Sequence, residues 1–167
     1  MPNQATIEGI VSFAGRMEGI DLEALREGLE IARVHRRVDQ AIESDLAGWG
    51  LTARQVEIME SLYHNARALT PAELADEVGL TRSAMTSALD ALESSGHTVR
   101  RPHPTDRRMV AITLTPSGRA FIEGRLPERY QRIHSIVSHL SKEERDLLLR
   151  TYAKVLAFLT DDEEPVK

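Results

Sequence analysis

Hydrophobic residues recur along most of the chain at steps of three to five positions, which places them on one face of an α-helix. The longest such stretch begins after Asp21, a residue type that caps helix N-termini, and runs to the neighbourhood of Gly48. Its apolar positions are Leu22, Leu25, Leu29, Val34, Val38, Ile42 and Leu46. The spacing predicts one long amphipathic helix. Residues 1–20 are expected to form either an extra short helix or a partly disordered segment.

Capping residues mark where several further helices begin. Three pairs have the spacing of a capping box, in which each residue's side chain accepts a hydrogen bond from the other's backbone N–H. These pairs are Thr52 with Gln55, Thr70 with Glu73, and Ser141 with Glu144. Thr115 and Pro116 predict the start of another long helix. Pro127 inside that helix is expected to kink or interrupt it.

Two short helical patterns meet at a tight turn in the middle of the chain. Gly79 suits the positive φ that such a turn requires, and Thr81 is placed to cap the second helix, which ends at Gly96. A basic segment, a proline-containing turn and an alternating stretch from Met109 to Leu114 follow. A helix–turn–helix followed by a hairpin is the layout of a winged DNA-binding domain. The predicted fold class is mainly α with a small β-hairpin wing.

The chain resembles the MarR family of bacterial transcription regulators at these residues. The family's wing signature is an Asp-x-Arg, then an apolar strand and Leu-Thr-x-x-Gly. This chain carries Asp106-Arg107-Arg108 and then Leu114-Thr115-Pro116-Ser117-Gly118. The resemblance covers roughly Leu22 to Leu159. One departure is His97-Thr98, which stands where family members usually carry two apolar residues.

Four segments are expected on this basis: N-terminal dimerisation helices (1–50), a winged helix–turn–helix lobe (51–118), C-terminal dimerisation helices (119–160) and an acidic tail (161–167). The terminal helices have wider apolar stripes than a small winged domain can cover. These stripes form either an ordinary core within one chain or a two-fold interface between two chains. The resemblance favours the homodimer, and paired recognition helices would match a palindromic site.

The charge distribution changes the meaning of the overall net charge of −5. Between Arg100 and Arg108 there are four arginines against one aspartate, a local charge of +3, whereas acidic residues concentrate in the tail. A basic hairpin tip beside a helix–turn–helix favours double-stranded DNA as the partner.

Cysteine is absent, which excludes disulfides and a peroxide-sensing thiol. No apolar run approaches about 18 residues, and the N-terminus lacks a secretory pattern, so a cytoplasmic protein without a membrane span is expected.

Eight residues are predicted to contact DNA, four as hydrogen-bond donors on the second helix of the motif and four on the wing. They are Arg82, Ser83, Thr86, Ser87, Arg100, Arg101, Arg107 and Arg108. Arg108 is the candidate for the minor groove, because a guanidinium suits its negative potential. Asp106 is expected to pair with an arginine and fix the wing turn. The alternative for the helix residues is an ordinary solvent-exposed polar face, which is also the interpretation of Asp90.

The resemblance further implies a cleft for a small aromatic anion between the dimerisation helices and the DNA-binding lobe. Its expected lining is Arg33, Arg37, Met59, Tyr63 and His64, with Trp49 nearby. The competing interpretation assigns Met59 and Tyr63 to core stripes and both arginines to neighbouring acids.

Neither a metal site, a cofactor site nor a catalytic constellation is expected, since His134 and His139 are five residues apart and no nucleophile has a base at usable spacing. The predicted function is a ligand-responsive repressor. A metal-responsive regulator of the same fold and a winged-helix module that binds protein remain as alternatives.

Overall fold

The computed structural model describes residues 4–65, 67–106 and 108–160. Within these ranges, seven α-helices and one antiparallel hairpin follow one another. They are α1 (Gln4–Ala14), α2 (Leu22–Leu46), a 3-10 turn (Ala47–Trp49), α3 (Ala53–His64), α4 (Pro71–Val78), α5 (Arg82–Ser94), β1 (Thr98–Pro102), β2 (Val110–Leu114), α6 (Pro116–Val137) and α7 (Lys142–Leu159). The helix–turn–helix is formed by α4 and α5, and the wing by β1, β2 and the residues that join them.

The predicted caps are confirmed at the helix starts. All three capping boxes are formed with both reciprocal hydrogen bonds, at the starts of α3, α4 and α7. The side chains of Asp21, Thr81 and Thr115 cap α2, α5 and α6. Of the two possibilities for the first twenty residues, the extra helix is observed as α1. Of the kink or interruption predicted at Pro127, the interruption does not occur, because α6 continues through that residue; the missing N–H of Pro127 removes one helical hydrogen bond.

The hydrophobic core lies inside the winged lobe. Helices α3, α4, α5 and α6 and strand β2 all contribute to it, with the last turn of α2 at its edge. Its buried members are Leu46, Val56, Ile58, Met59, Leu62, Leu69, Leu74, Ala75, Met85, Leu89, Leu92, Ile112, Ile122 and Leu126. Because α5 buries Met85, Leu89 and Leu92, its opposite face is turned to solvent.

The wing hairpin is held at its middle residue pair by a third segment. Strands β1 and β2 pair in a register that sets Arg100 opposite Ile112 and Pro102 opposite Val110. The N–H of Ile112 also donates to the carbonyl of Leu69 at 2.8 Å, forming an isolated bridge. The sequence gives no sign of this bridge, since a single bridging residue leaves no alternation to detect.

A close contact joins the first turn of α6 to the turn between α5 and β1. The N–H of Thr115 donates to the carbonyl of His97 at 3.0 Å, and the Thr115 hydroxyl donates to the carbonyl of Gly96 at 2.7 Å. A Cβ at Gly118 would lie 2.0 Å from the carbonyl oxygen of His97. The glycine of the wing signature is therefore required by backbone proximity. We call this contact the α6 joint.

The terminal helices leave much of their apolar surface uncovered. α1 packs on α2 through Ile7, Val11 and Ala14. Outward-facing residues of α2 and α7 include Ile31 at 68 % exposure and Phe158 at 74 %. None of the residues of α7, all of which are described, is buried. These helices carry their hydrophobic stripes on the outside of the single chain.

We expect the Gly118→Ala variant to destabilise the protein by about 2 kcal/mol or more, because the added methyl group overlaps the His97 backbone. Gly124→Ala is the matched control on the same helix, since a Cβ added there would meet nothing within 4 Å. This control should stabilise the protein by roughly 0.5–1 kcal/mol through helix propensity. Urea unfolding measures both values, and equal effects would refute the close contact.

Candidate nucleic-acid interface

The exposed face of α5 carries four of the residues predicted to contact DNA. Arg82, Ser83, Thr86 and Ser87 are all exposed, on the side of α5 opposite the core. We call these four residues the reading face. Its position follows from the helical period, because the apolar residues of α5 recur at three- and four-residue steps and bury the other side.

Two hydroxyl groups of the reading face already donate hydrogen bonds within α5. The Thr86 hydroxyl donates to the carbonyl of Arg82 at 2.9 Å, and the Ser87 hydroxyl donates to that of Ser83 at 3.2 Å. Such bonds to the preceding turn are common for these residue types. The sequence predicts donors, whereas in this geometry both hydroxyls offer lone pairs outward. They suit the amino groups of cytosine and adenine in a major groove.

Arg100 is engaged inside the lobe. Its guanidinium forms ion pairs with Asp90, at 2.6 Å, and with Glu93, both on α5. Its backbone N–H also donates to Glu93 Oε1 at 3.1 Å. The hydrogen bond to Asp90 raises the pKa of Arg100, with Glu93 adding to the effect against the cost of desolvation. Arg100 was predicted to contact DNA and Asp90 to face solvent, and in the structure the two side chains form an ion pair.

Asp106 shapes the tip of the wing through the backbone. Its carboxylate accepts a hydrogen bond from the N–H of Arg108 at 2.9 Å, and its carbonyl accepts one from the N–H of Met109 at 2.9 Å. The N–H of His103 closes the turn on the carbonyl of Met109 at 2.9 Å. The expected partner of Asp106 was an arginine side chain. The described bond instead comes from an arginine backbone, while Arg107 lies outside the described residues.

Three arginines present their charge outward around the reading face and wing. Arg82, Arg101 and Arg108 are exposed, and none has a described carboxylate within 4.0 Å. Arg100 differs, because two carboxylates surround it. The positive charge available to a polyanion therefore comes from Arg82 on α5 and from Arg101 and Arg108 on the wing, and Arg100 does not contribute to it.

A groove of about 470 Å³ separates the wing from the helix–turn–helix. Its lining is Thr70, Pro71, Ala72, Arg82, Thr86, Met109 and Val110. Met109 and Val110 are each 45 % exposed and form an apolar part of the groove wall. Neither residue was among the site residues predicted from the sequence. The backbone N–H of Thr70, together with Arg67, holds the pKa of Glu73 at about 2, so the capping box that forms one wall persists in mild acid.

His97 fills the space that relatives usually give to an apolar residue. Its ring lies 4.5 Å from the ring of Phe121 on α6, and its Nδ1 has no hydrogen-bond partner among the described residues. Burial, with a contribution from Arg125, lowers the pKa of His97. A neutral imidazole then packs at the α6 joint much as a hydrophobic side chain would. The departure from the family pattern is accommodated without disturbing β1, where Thr98 is buried.

Comparison with known proteins identifies the family. A model of the MarR family matches residues 49–109. The HTH-type transcriptional repressor YetL of Bacillus subtilis (strain 168) is 30 % identical over 142 residues, which cover 84 % of this chain and 85 % of that protein. The chain belongs to the MarR family. Its members named in these comparisons are transcription regulators, in agreement with the predicted fold and function class.

Two crystal structures of one MarR mutant share the fold of this chain. The mutant, a cysteine-to-serine variant of MarR from E. coli, is 29 % identical to the present MarR-family chain. Its complex with operator DNA gives a TM-score of 0.67, covering 80 % of this chain and 96 % of that one. A second structure of the same mutant gives a TM-score of 0.56, covering 77 % of this chain and 95 % of that one. The operator complex therefore has the higher structural similarity to this chain.

Of the five residues predicted to line an effector cleft, four have other contacts or are buried within this MarR-family chain, and the cleft itself stays a prediction. Met59 is fully buried in the core, and Arg33 pairs with Glu30 at 2.8 Å. Tyr63 lies under the guanidinium of Arg119, and His64 Nε2 lies 2.6 Å from Tyr130 Oη. Arg37 is exposed on α2. The competing interpretation, core for Met59 and a local acid for Arg33, describes these two positions.

A different cleft of about 330 Å³ opens between α2 and α6. Its lining is Ile42, Asp45, Leu46, Trp49, Glu57, Glu128, Arg129, Arg132, Ile133, Ile136 and Val137. Trp49 is shared with the sequence-based expectation, whereas the α6 side was missed. The signal available in the sequence is an apolar stripe at Ile133, Ile136 and Val137 beside two arginines.

Histidines do not assemble a metal site in the described part of the chain, where no group of three or more His, Cys, Asp or Glu side chains could hold an ion. His35 Nε2 lies 3.5 Å from Asp39, and its Nδ1 lies 3.0 Å from Tyr152 Oη on α7.

The helices of the described ranges include none with the length and hydropathy needed to cross a membrane.

Proposed function

We propose that the protein is a repressor that binds a palindromic operator as a homodimer in the cytoplasm. The observation that carries this proposal is the groove between wing and helix–turn–helix, which is lined by residues of both elements. Arginines with no carboxylate partner among the described residues stand on either side of it, Arg82 on α5 and Arg101 and Arg108 on the wing. A protein-binding winged module would need no such cationic rim around its recognition helix.

The proposed contacts divide by groove. The reading face enters the major groove, where Arg82 donates to guanine or phosphate and the hydroxyls of Thr86 and Ser87 accept from base amino groups. Arg108, with Arg107, reaches the minor groove or backbone, and Arg101 contacts phosphate. The repressor named YetL and the MarR operator complex support this direction of function, since both belong to proteins of the same family.

The homodimer is supported by the uncovered stripes of the terminal helices. Large hydrophobic side chains on α2, α6 and α7 are exposed in the single chain, in a quantity that isolated soluble domains rarely present. A second copy related by a two-fold axis would bury them against identical surfaces. It would also place two reading faces about one helical turn of DNA apart, roughly 10 base pairs.

An effector site is proposed in the α2–α6 cleft. Trp49 and the apolar residues of α6 offer a surface for an aromatic ring. Arg132 pairs there with Asp45 at 2.7 Å, and the two side chains are 58 % and 40 % exposed. Since exposed ion pairs contribute only about 0–1 kcal/mol, the carboxylate of a small aromatic anion can replace Asp45 on Arg132. The neighbouring Arg129–Glu60 pair, 2.7 Å long and mostly buried, connects this cleft to α3 of the DNA-binding lobe.

The DNA-binding proposal predicts that Arg108→Ala weakens operator binding about 10-fold and lowers the salt dependence of log K by roughly one contact. The operator is first selected from random duplex DNA with the wild-type protein. Thr86→Ala should instead change the preferred bases, because hydroxyls read base edges. Arg150→Ala on α7 serves as the charge-matched control. Equal binding of Arg108→Ala and wild type at the same salt, measured by fluorescence anisotropy, would exclude the wing from the interface.

The assembly proposal predicts a dimer at micromolar concentration and an unfolding midpoint that rises with protein concentration. Leu156→Glu on α7 should shift the protein towards monomer or aggregate, because it places a charge in the proposed interface. Lys154→Glu on the same helix is the control and should remain dimeric. Sedimentation velocity measures all three proteins. A dimer that tolerates Leu156→Glu as well as Lys154→Glu would place the interface elsewhere.

The effector proposal predicts that benzoate binds the wild-type protein and weakens operator binding by a factor of roughly 5 to 150. Arg132→Gln should abolish the calorimetric signal, since it removes the cation that holds the carboxylate. Benzamidine, of similar size but opposite charge, is the matched control ligand. If benzamidine bound and benzoate did not, the anionic class would be wrong. Benzoate binding without an effect on operator affinity would separate the cleft from regulation.

A further inference from the structure

Two carboxylates of α5 hold Arg100 from the same side. Asp90 and Glu93 are three residues apart and therefore share one face of the helix. Together they receive both ends of the guanidinium, and Glu93 additionally receives the backbone N–H of Arg100 at 3.1 Å. The Arg100 side chain is 33 % exposed. A planar guanidinium engaged by two acids fixes both distance and orientation between α5 and β1 in a way that a single ion pair does not.

The opposite edge of the hairpin is anchored at the same rung. Arg100 stands opposite Ile112 in the β1–β2 register, and the N–H of Ile112 bonds to the carbonyl of Leu69. Leu69 immediately precedes Thr70, the cap of α4. One rung of the ladder is thus tied to α5 on one side and to the start of α4 on the other. Beyond this rung the strands run for two more residue pairs, ending at Pro102 and Val110, before the tip that carries Arg108.

We propose that Arg100 is a positioning residue that sets the spacing between the reading face and the wing tip and makes no contact with DNA, an inference that rests on the proposed operator binding. Two elements that enter neighbouring grooves together must be held at a fixed separation. If the wing were slack, its freedom would be lost on binding and affinity would fall. Arg100 with two carboxylate partners carries no surplus positive charge for a phosphate.

The decisive comparison removes the carboxylates. Asp90→Asn combined with Glu93→Gln deletes two negative charges beside a polyanion, so electrostatics alone would strengthen operator binding. A lost positioning role instead weakens it. We expect this double variant and Arg100→Gln each to weaken binding of the selected operator about 10-fold. Tighter binding by the double variant would overturn the proposal.

The salt dependence separates positioning from contact. Arg100→Gln should leave the slope of log K against log salt unchanged, whereas Arg101→Gln, the neighbouring exposed arginine, should reduce it by roughly one contact. Arg100→Lys keeps the charge but not the planar fork, so it should bind as weakly as Arg100→Gln. A reduced slope in Arg100→Gln, restored by Arg100→Lys, would show a phosphate contact and refute the positioning role. Circular dichroism and thermal melting confirm that each variant is folded.

A measurement without DNA keeps the two proposals distinguishable. Because the chain has no cysteine, a nitroxide attached to Thr105→Cys reports the wing tip alone. Its spectrum should show greater mobility when Arg100→Gln or the double carboxylate variant is added, and no change with Arg101→Gln. Unchanged mobility in Arg100→Gln would overturn the positioning role by itself. Failure of the wild-type protein to enrich any sequence from random duplex DNA would instead refute the proposed function.

Discussion

The approach of α6 to the backbone of His97 is the constraint on which the other parts depend. Gly118 allows it, because any side chain there would occupy the position of the His97 carbonyl. The hydroxyl of Thr115 then reaches Gly96 while its backbone reaches His97. In a few residues the end of the recognition helix, the start of the wing and the start of a long terminal helix are bonded to one another. A displacement of α6 cannot leave the DNA-binding lobe unaffected, since no flexible linker separates them.

Much of the fold could be predicted from the sequence, because it depends on interactions between residues close together in the chain. A threonine or serine three residues before a Glu or Gln specifies a helix start through two backbone hydrogen bonds, and all three such pairs were found where predicted. The faces of α5 were predictable for a similar reason, because burial follows the helical period. Leu69 was not, since its bridge to Ile112 depends on a partner more than forty residues away that leaves no local pattern.

The candidate site was less predictable, because the tertiary structure decides which charged side chains form ion pairs. Arg100 and Arg101 are adjacent and chemically identical, yet one meets two acids of α5 and the other faces solvent. Neighbouring side chains of a β-strand point to opposite faces, so Arg100 and Arg101 could be expected to diverge. The sequence did not indicate which of the two arginines faces α5. Met59 could not be assigned from the sequence for a related reason. An apolar residue in a helical stripe can pack in the core or line a cleft, and the sequence pattern is the same in both cases. The cleft that is present takes more than half of its lining from α6, whereas the expected lining lay on α2 and α3.

α7 carries its leucines, valine and aromatic residues on the outside, with none of them buried within its own chain. If this surface is buried in the proposed homodimer, folding is complete only when two chains associate. A newly synthesised chain then exposes hydrophobic surface until it binds a second copy. The concentration of the protein in the cell would then affect its survival. At low concentration most chains would stay monomeric and accessible to proteases and chaperones, whereas at high concentration they would pair and bury these surfaces. The protein concentration at which the proposed repression begins would therefore depend on dimer formation as much as on affinity for the operator.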